Sequence, residues 1–147
     1  MNFKDICRMN EALPAERKME IVSGILDETG TFTLATVEQG RPKMRILGFK
    51  TMADGKIYFG LGTFKEVYAQ LQADPCCEIL ASSGDWFMRW DGKAVFREDP
   101  RFMEAAEKEM PDVTAVYRKN GWKLAFFTIE DGHAEAVHVS NAKERLF

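Results

Sequence analysis

Thr31-Phe-Thr-Leu-Ala-Thr-Val37 is a β-branched, alternating run, and Gln39-Gly40 turns it directly into Arg41-Pro-Lys-Met-Arg-Ile-Leu-Gly-Phe-Lys50. Ala53-Asp54-Gly55 makes the next turn, into Lys56-Ile-Tyr-Phe-Gly-Leu61. Glycine after a short polar residue, set between alternating runs, is a hairpin signal because tight turns need positive φ. Residues 31–61 therefore predict three antiparallel strands in a meander, and the fold is expected to be mainly β.

Outward from this meander the period changes. On the N-terminal side, Met19, Val22, Ile25 and Leu26 fall at helical spacing within Pro14–Glu28, and Gly30 stops the helix. Met1–Asn10 mixes charged and apolar residues and has no signal-peptide core. On the C-terminal side, Gly60-Leu-Gly-Thr63 opens a second helix whose apolar positions are Phe64, Val67, Tyr68 and Leu71, ended by Asp74-Pro75. Strands follow at Cys76–Ala81 and Trp86–Phe96, separated by Ser83-Gly84-Asp85. Asp99-Pro100 caps a third helix, Arg101–Met110, and a short helical piece over Val113–Lys119 comes after Pro111. Lys123–Ile129 and His133–Val139 read as a final hairpin turned at Asp131-Gly132, and Asn141–Phe147 as a loose tail. Six long antiparallel strands with exposed edges favour closure, so residues 1–147 are expected to form one six-stranded barrel domain with about three flanking helices.

Composition narrows the function. The 147 residues carry 20 basic and 23 acidic side chains, net charge -3, which argues against a general nucleic-acid binder. No apolar run approaches the roughly 20 residues of a spanning helix, so the expected location is the cytoplasm, with no membrane partner. Cys7, Cys76 and Cys77 are read as reduced thiols, since adjacent strand residues face opposite ways. His133 and His138 lie an odd number of residues apart, on opposite faces of a strand, and no metal site is expected. No Gly-x-Ser-x-Gly turn is present and no nucleophile triad is apparent; no side chain is assigned a catalytic role.

Two stretches stand out chemically. Arg41, Lys43 and Arg45 share one strand face, and Lys50 joins them only if a bulge at Gly48 shifts the register. Such a row either protects a sheet edge by charge or meets an anion. In Tyr58-Phe-Gly-Leu-Gly-Thr-Phe-Lys65, two glycines permit close approach of a ligand, Thr63 is placed as an N-cap, and Lys65 adds a charge in the first turn. Lysine there opposes the helix dipole unless an anion binds. Trp86, Met88 and Trp90 share one face of the fifth strand, Phe87 and Arg89 the other. This aromatic wall suits a flat heterocycle, a barrel core or a dimer interface.

These motifs resemble the pyridoxamine 5'-phosphate oxidase-like, FMN-binding split-barrel family. Arg45-Ile-Leu-Gly-Phe-Lys50 is similar to its Arg-x-Val-Leu-x-Lys strand, and Tyr58–Lys65 to its Tyr-Thr-Asn-x-x-Ser-Arg-Lys segment. Asp74-Pro75 falls at its helix-ending Asn-Pro, and Arg89-Trp-Asp-Gly92 resembles its Arg-Val-Glu-Gly. The order holds from about Phe32 to Phe96, and the last third resembles the small-protein branch. The resemblance implies a homodimer with FMN in clefts between subunits. It implies that Arg45, Lys50, Thr63 and Lys65 hold the phosphate. Ile46 and Leu47 offer backbone groups to the ring, and Tyr58, Phe59 and Gly60 line the ribityl chain and ring edge. Phe64 stands where the family has an arginine, Phe87 where the oxidase has a glutamine, and His138–Phe147 lacks the segment that grips pyridoxal phosphate. The expected function is an FMN-dependent oxidoreductase acting on a small molecule or a nicotinamide donor, other than the eponymous oxidase. A non-enzymatic flavin-binding stress or sensor protein, or a cofactor-free dimeric barrel, is the competing expectation. Haem would need His133 or His138 as axial ligand.

Overall fold

The computed structural model describes residues 1–147. Its organising element is the strand Phe32–Glu38 (β1), in which Phe32, Leu34 and Thr36 are buried while the residues between them are not. β1 pairs antiparallel with Arg41–Leu47 (β2) along its whole length, from Phe32 opposite Leu47 to Glu38 opposite Arg41. Gln39 and Gly40 both take positive φ, 50° and 75°, as the hairpin reading requires. Asp54 and Gly55 repeat that geometry between Lys50–Ala53 (β3) and Lys56–Gly62 (β4).

The remaining strands are Cys76–Ser83 (β5), Trp86–Arg97 (β6), Leu124–His138 (β7) and Lys143–Arg145 (β8). They hydrogen-bond in the order β2-β1-β5-β6-β7-β4-β3, all the pairings antiparallel, with β8 added to β7. The two ends of this order, β2 and β3, are consecutive in the chain and joined only by Gly48-Phe49. The sheet therefore curls until its ends are neighbours yet not paired. It is a split barrel. Helix Glu66–Ala73 packs on β1 and β4, beside the slit.

The interior holds Leu34, Ile57, Phe59, Ile79, Met88, Trp90 and Phe127, and helix Lys18–Thr29 seals it with Ile21, Val22, Ile25 and Leu26. Burying each such side chain contributes roughly 1.5–3 kcal/mol. Alternate residues of β4 and β7 face outward, where Tyr58, Leu124 and Phe126 meet Phe102, Ala106 and Tyr117. Those three come from helices Pro100–Glu109 and Pro111–Asn120. β4 is thus covered on both faces, which is why it reads as an unbroken apolar run.

Several sequence expectations change. A helix at Phe3–Ala12 precedes the one expected; it is capped by Asn2 and Asp5, each side chain bonding the other's amide at 3.0 Å. Numbering in chain order, the five helices are α1 (Phe3–Ala12), α2 (Lys18–Thr29), α3 (Glu66–Ala73), α4 (Pro100–Glu109) and α5 (Pro111–Asn120), against about three expected. There are eight strands, not six. The expected strand 41–50 breaks at Gly48-Phe49, which lets the chain step from one sheet end to the other. Asp131-Gly132 is a bend inside one long strand, not a hairpin turn. β6 and β7 pair on both sides of it with a register shift at Asp91/Lys93. Gly92 at φ 154° and Gly132 pass so closely there that a Cβ on Gly132 would lie 1.7 Å from the Asp91 carbonyl oxygen. The C-terminal residues are not loose either: Leu146 is buried and its N–H donates to Ala134 O at 2.8 Å.

Candidate functional site

Arg45 leans from β2 across β1 instead of into solvent. Its Nη1 donates to Leu34 O at 3.1 Å, to Thr36 Oγ1 at 2.8 Å and to Lys43 O at 3.2 Å, and its Nη2 donates to Gln70 Oε1. Thr36 also donates to Gln70 Oε1, at 2.6 Å. α3 supplies Gln70 because that residue lies on its buried stripe with Val67 and Leu71. Every acceptor is neutral. Burial pushes the guanidinium below its ordinary value, against a smaller opposing pull from Glu66. Arginine nevertheless stays charged, so the site carries a half-buried cation with no ion-pair partner.

Lys65 follows twenty residues later. Thr63 is not the N-cap of α3. The turn Gly62–Lys65, closed by Lys65 N–H to Gly62 O at 3.1 Å, uses those residues, and Lys65 itself caps the helix with extended backbone. It has no side-chain cap bond, so the Glu66 and Val67 amides of the first turn are open to an acceptor. Lys65 Nζ lies 6.0 Å from the centre of the Phe64 ring and makes no ion pair.

Between these cations runs a groove of ≈ 870 Å³. Its walls are Lys43–Phe49, Gly60-Leu61, the first turns of α3, and Glu109, Met110, Val113 and Tyr117 around the start of α5. Arg45, Ile46, Leu47, Gly60 and Lys65 of the expected contact set all line it. β2 is the terminal strand of the sheet, so alternate backbone groups along it are free to meet a ligand.

The other four expected residues lie elsewhere. Lys50 is 10% exposed and bonds Asp27 Oδ1 and Ser23 Oγ, each at 2.8 Å, on α2. Gly48-Phe49 turns its side chain away from Arg45. Thr63 lines a second cavity of ≈ 740 Å³ with Tyr68, Phe96 and Trp122. Tyr58 stacks on Phe102 at 4.1 Å, and Phe59 is fully buried among Phe32, Trp90 and Phe127. Trp86, Met88 and Trp90, one face of the aromatic wall, fill the core.

Sequence reasoning missed Thr36, Gln70 and Tyr117. The available signal for the first two was a polar residue on each buried stripe. It also missed a hydrogen-bonded Asp85–His138–Ser140 chain, at 3.0 and 2.8 Å. Ser140 lies two residues from His138 and its N–H also donates to the same ring nitrogen at 3.2 Å, so the chain is a local turn motif on the surface.

A family model described as pyridoxamine 5'-phosphate oxidase matches residues 20–130, most of the chain and all of the groove's β2, β4 and α3 walls. The chain belongs to the pyridoxamine 5'-phosphate oxidase family. No curated protein matches it. Among solved structures it is similar to a NimC/NimA family protein from Clostridium acetobutylicum, with TM-score 0.74 and 23% identity over 86% of this chain and 92% of that one. A protein related to general stress protein 26, also from Clostridium acetobutylicum, aligns at TM-score 0.60 and 14% identity over 90% of this chain and 99% of that one. A haem-binding protein from Mycobacterium smegmatis aligns at TM-score 0.63 and 17% identity, over 90% of this chain but 57% of that one. At these identities the likeness is one of fold. The donors gathered in the groove, a guanidinium, an ammonium and open helix-end amides, fit the phosphate of the flavin typical of the pyridoxamine 5'-phosphate oxidase family.

Proposed function

We propose that this chain is an FMN-binding flavoprotein and an FMN-dependent oxidoreductase, working as a homodimer in the cytoplasm. The observation that carries the reading is the Arg45–Lys65 pair: two cations without carboxylate partners on one groove, Arg45 braced by neutral groups that cannot discharge it. Arg45 and Lys65 hold the phosphate with the α3 amides, Ile46 and Leu47 meet the ring through the backbone of β2, and Gly60 leaves room beside it. Lys50 and Thr63, outside the groove, are not in this contact set. Bound FMN supplies hydride acceptance at its N5, and the chain supplies position and shelter from water. Haem is disfavoured because neither histidine lines the groove.

The partner is a second copy of the chain. Met44 and Ile46 are 72% and 66% exposed, and Ile46 stands in one row with Thr33 and Leu80 across β2, β1 and β5. That apolar outer face adjoins the groove, and a shared interface there of ~2,000 Å² or more suits an obligate dimer.

The test is direct. Protein purified with excess FMN and desalted is expected to be yellow, with one FMN per chain, and to bleach under anaerobic NADH or NADPH. Colourless protein that ignores added FMN contradicts the proposal. A second reading, flavin binding without turnover, is favoured by the apolar Phe64 in place of the family's arginine; yellow protein inert to both nicotinamides selects it.

A further inference from the structure

Phe64 removes a guanidinium from the phosphate segment, and the structure shows what surrounds the replacement. Its ring stacks on Trp122 at 4.3 Å and meets Tyr117 edge-on at 5.7 Å, while Tyr117 and Trp122 stand perpendicular at 5.6 Å. These three rings separate the groove from the second cavity, and Tyr117 lines both.

Tyr117 is 9% exposed, and its hydroxyl, which makes no hydrogen bond within the chain, is the part of the side chain left open at the groove. A donor so placed meets water in the groove and is free to meet a ligand there. The hydroxyl is held beside the turn that leads into α3: a Cβ on Gly62 would come within 2.9 Å of it and within 2.6 Å of the Phe64 ring. Gly62 is also the residue whose carbonyl accepts from Lys65 N–H. The unpartnered phenol, the N-cap lysine and the open amides of α3 therefore border one end of the groove.

We infer that Tyr117 is a further ligand-binding residue. Its hydroxyl donates a hydrogen bond to the ligand's phosphate, replacing the guanidinium that Phe64 displaces, and so helps select phosphorylated over unphosphorylated flavin. The inference rests on the FMN reading above. The aromatic packing gives a physical reason for the exchange. Phe64 orients the phenol from the side by ring contact, and a neutral donor adds no further positive charge to a groove already lined by Lys43, Arg45 and Lys65.

The experiment is a titration of apo wild type and Tyr117→Phe with FMN and, separately, riboflavin, read by quenching of flavin fluorescence. The substitution keeps the ring and its packing and deletes only the donor. A hydrogen bond to a charged group predicts about a tenfold or greater loss of FMN affinity with riboflavin affinity unchanged. Equal losses for both ligands, or no loss, overturn the role of Tyr117 while leaving the FMN reading in place. Wild type that binds neither flavin overturns both.

Discussion

The Arg45 guanidinium and the Gln70 side-chain oxygen are hydrogen-bonded over β1, joining the end strand β2 to helix α3. Gln70 is 3% exposed and Thr36, its other donor, 1%. The pair places a fixed positive charge at the groove wall, and three buried or half-buried polar groups depend on one another for satisfaction.

Gln70→Leu is therefore expected to destabilise the chain by about 1–3 kcal/mol, because Thr36 is left buried without its acceptor. The same change frees Arg45 and weakens FMN binding. Urea unfolding followed by circular dichroism measures the first effect, and an unchanged midpoint contradicts the network.

The Gly92–Gly132 crossing holds the closest approach found at any glycine of the chain. Gly132→Ala would set a Cβ 1.7 Å from the Asp91 carbonyl oxygen and 2.8 Å from Gly92 Cα, and backbone cannot yield cheaply. A loss above about 3 kcal/mol, or failure to fold, is expected. Gly40→Ala, at φ 75° with open space around it, should cost only about 1–2 kcal/mol. Equal melting temperatures for the two variants would remove the steric account of the bend.

Much of this fold was legible in the sequence. Alternation marked β1, and Gln39-Gly40 and Asp54-Gly55, which precede β2 and β4, turned as their residue types require. Asp131-Gly132 misled because a glycine that permits a turn also permits a close crossing, and only the partner Gly92 distinguishes them. α1 carried a signal in Asn2 and Asp5 that helical periodicity alone does not weigh. The shared face of Arg41, Lys43 and Arg45 followed from the strand period, and Arg45 and Lys65 do border one groove. Lys50 could not be placed from spacing, since two residues at Gly48-Phe49 decide which side of the slit it occupies. Tyr117 lay beyond reach, because only tertiary packing brings α5 against Gly62 at the end of β4.

Burial pushes the Cys77 thiol up to about 12, and the neighbouring Cys76 adds to that. Between the ordinary thiol value of 9.0 and about 12 the folded chain keeps a proton that the unfolded chain has released. Its contribution to stability is full below the lower value and lost as pH rises through this window. The urea midpoint of wild type should fall between about pH 8 and about pH 10 more steeply than that of Cys77→Ala. Parallel profiles would show that Cys77 is not the group responsible.

Ile46→Asp places a charge at the β2 end of the row formed with Thr33 and Leu80. Light scattering at low micromolar concentration is expected to give a dimer for wild type and a monomer for the variant, with the variant's secondary structure retained. A wild-type monomer contradicts the shared cleft.

The most direct test is an FMN titration of apo wild type and apo Lys65→Ala, followed by flavin fluorescence. Loss of one charged contact to the phosphate should weaken binding by roughly 10- to 100-fold, with the melting temperature unchanged. Indistinguishable affinities would mean that the β2–α3 groove does not hold a phosphate through Lys65.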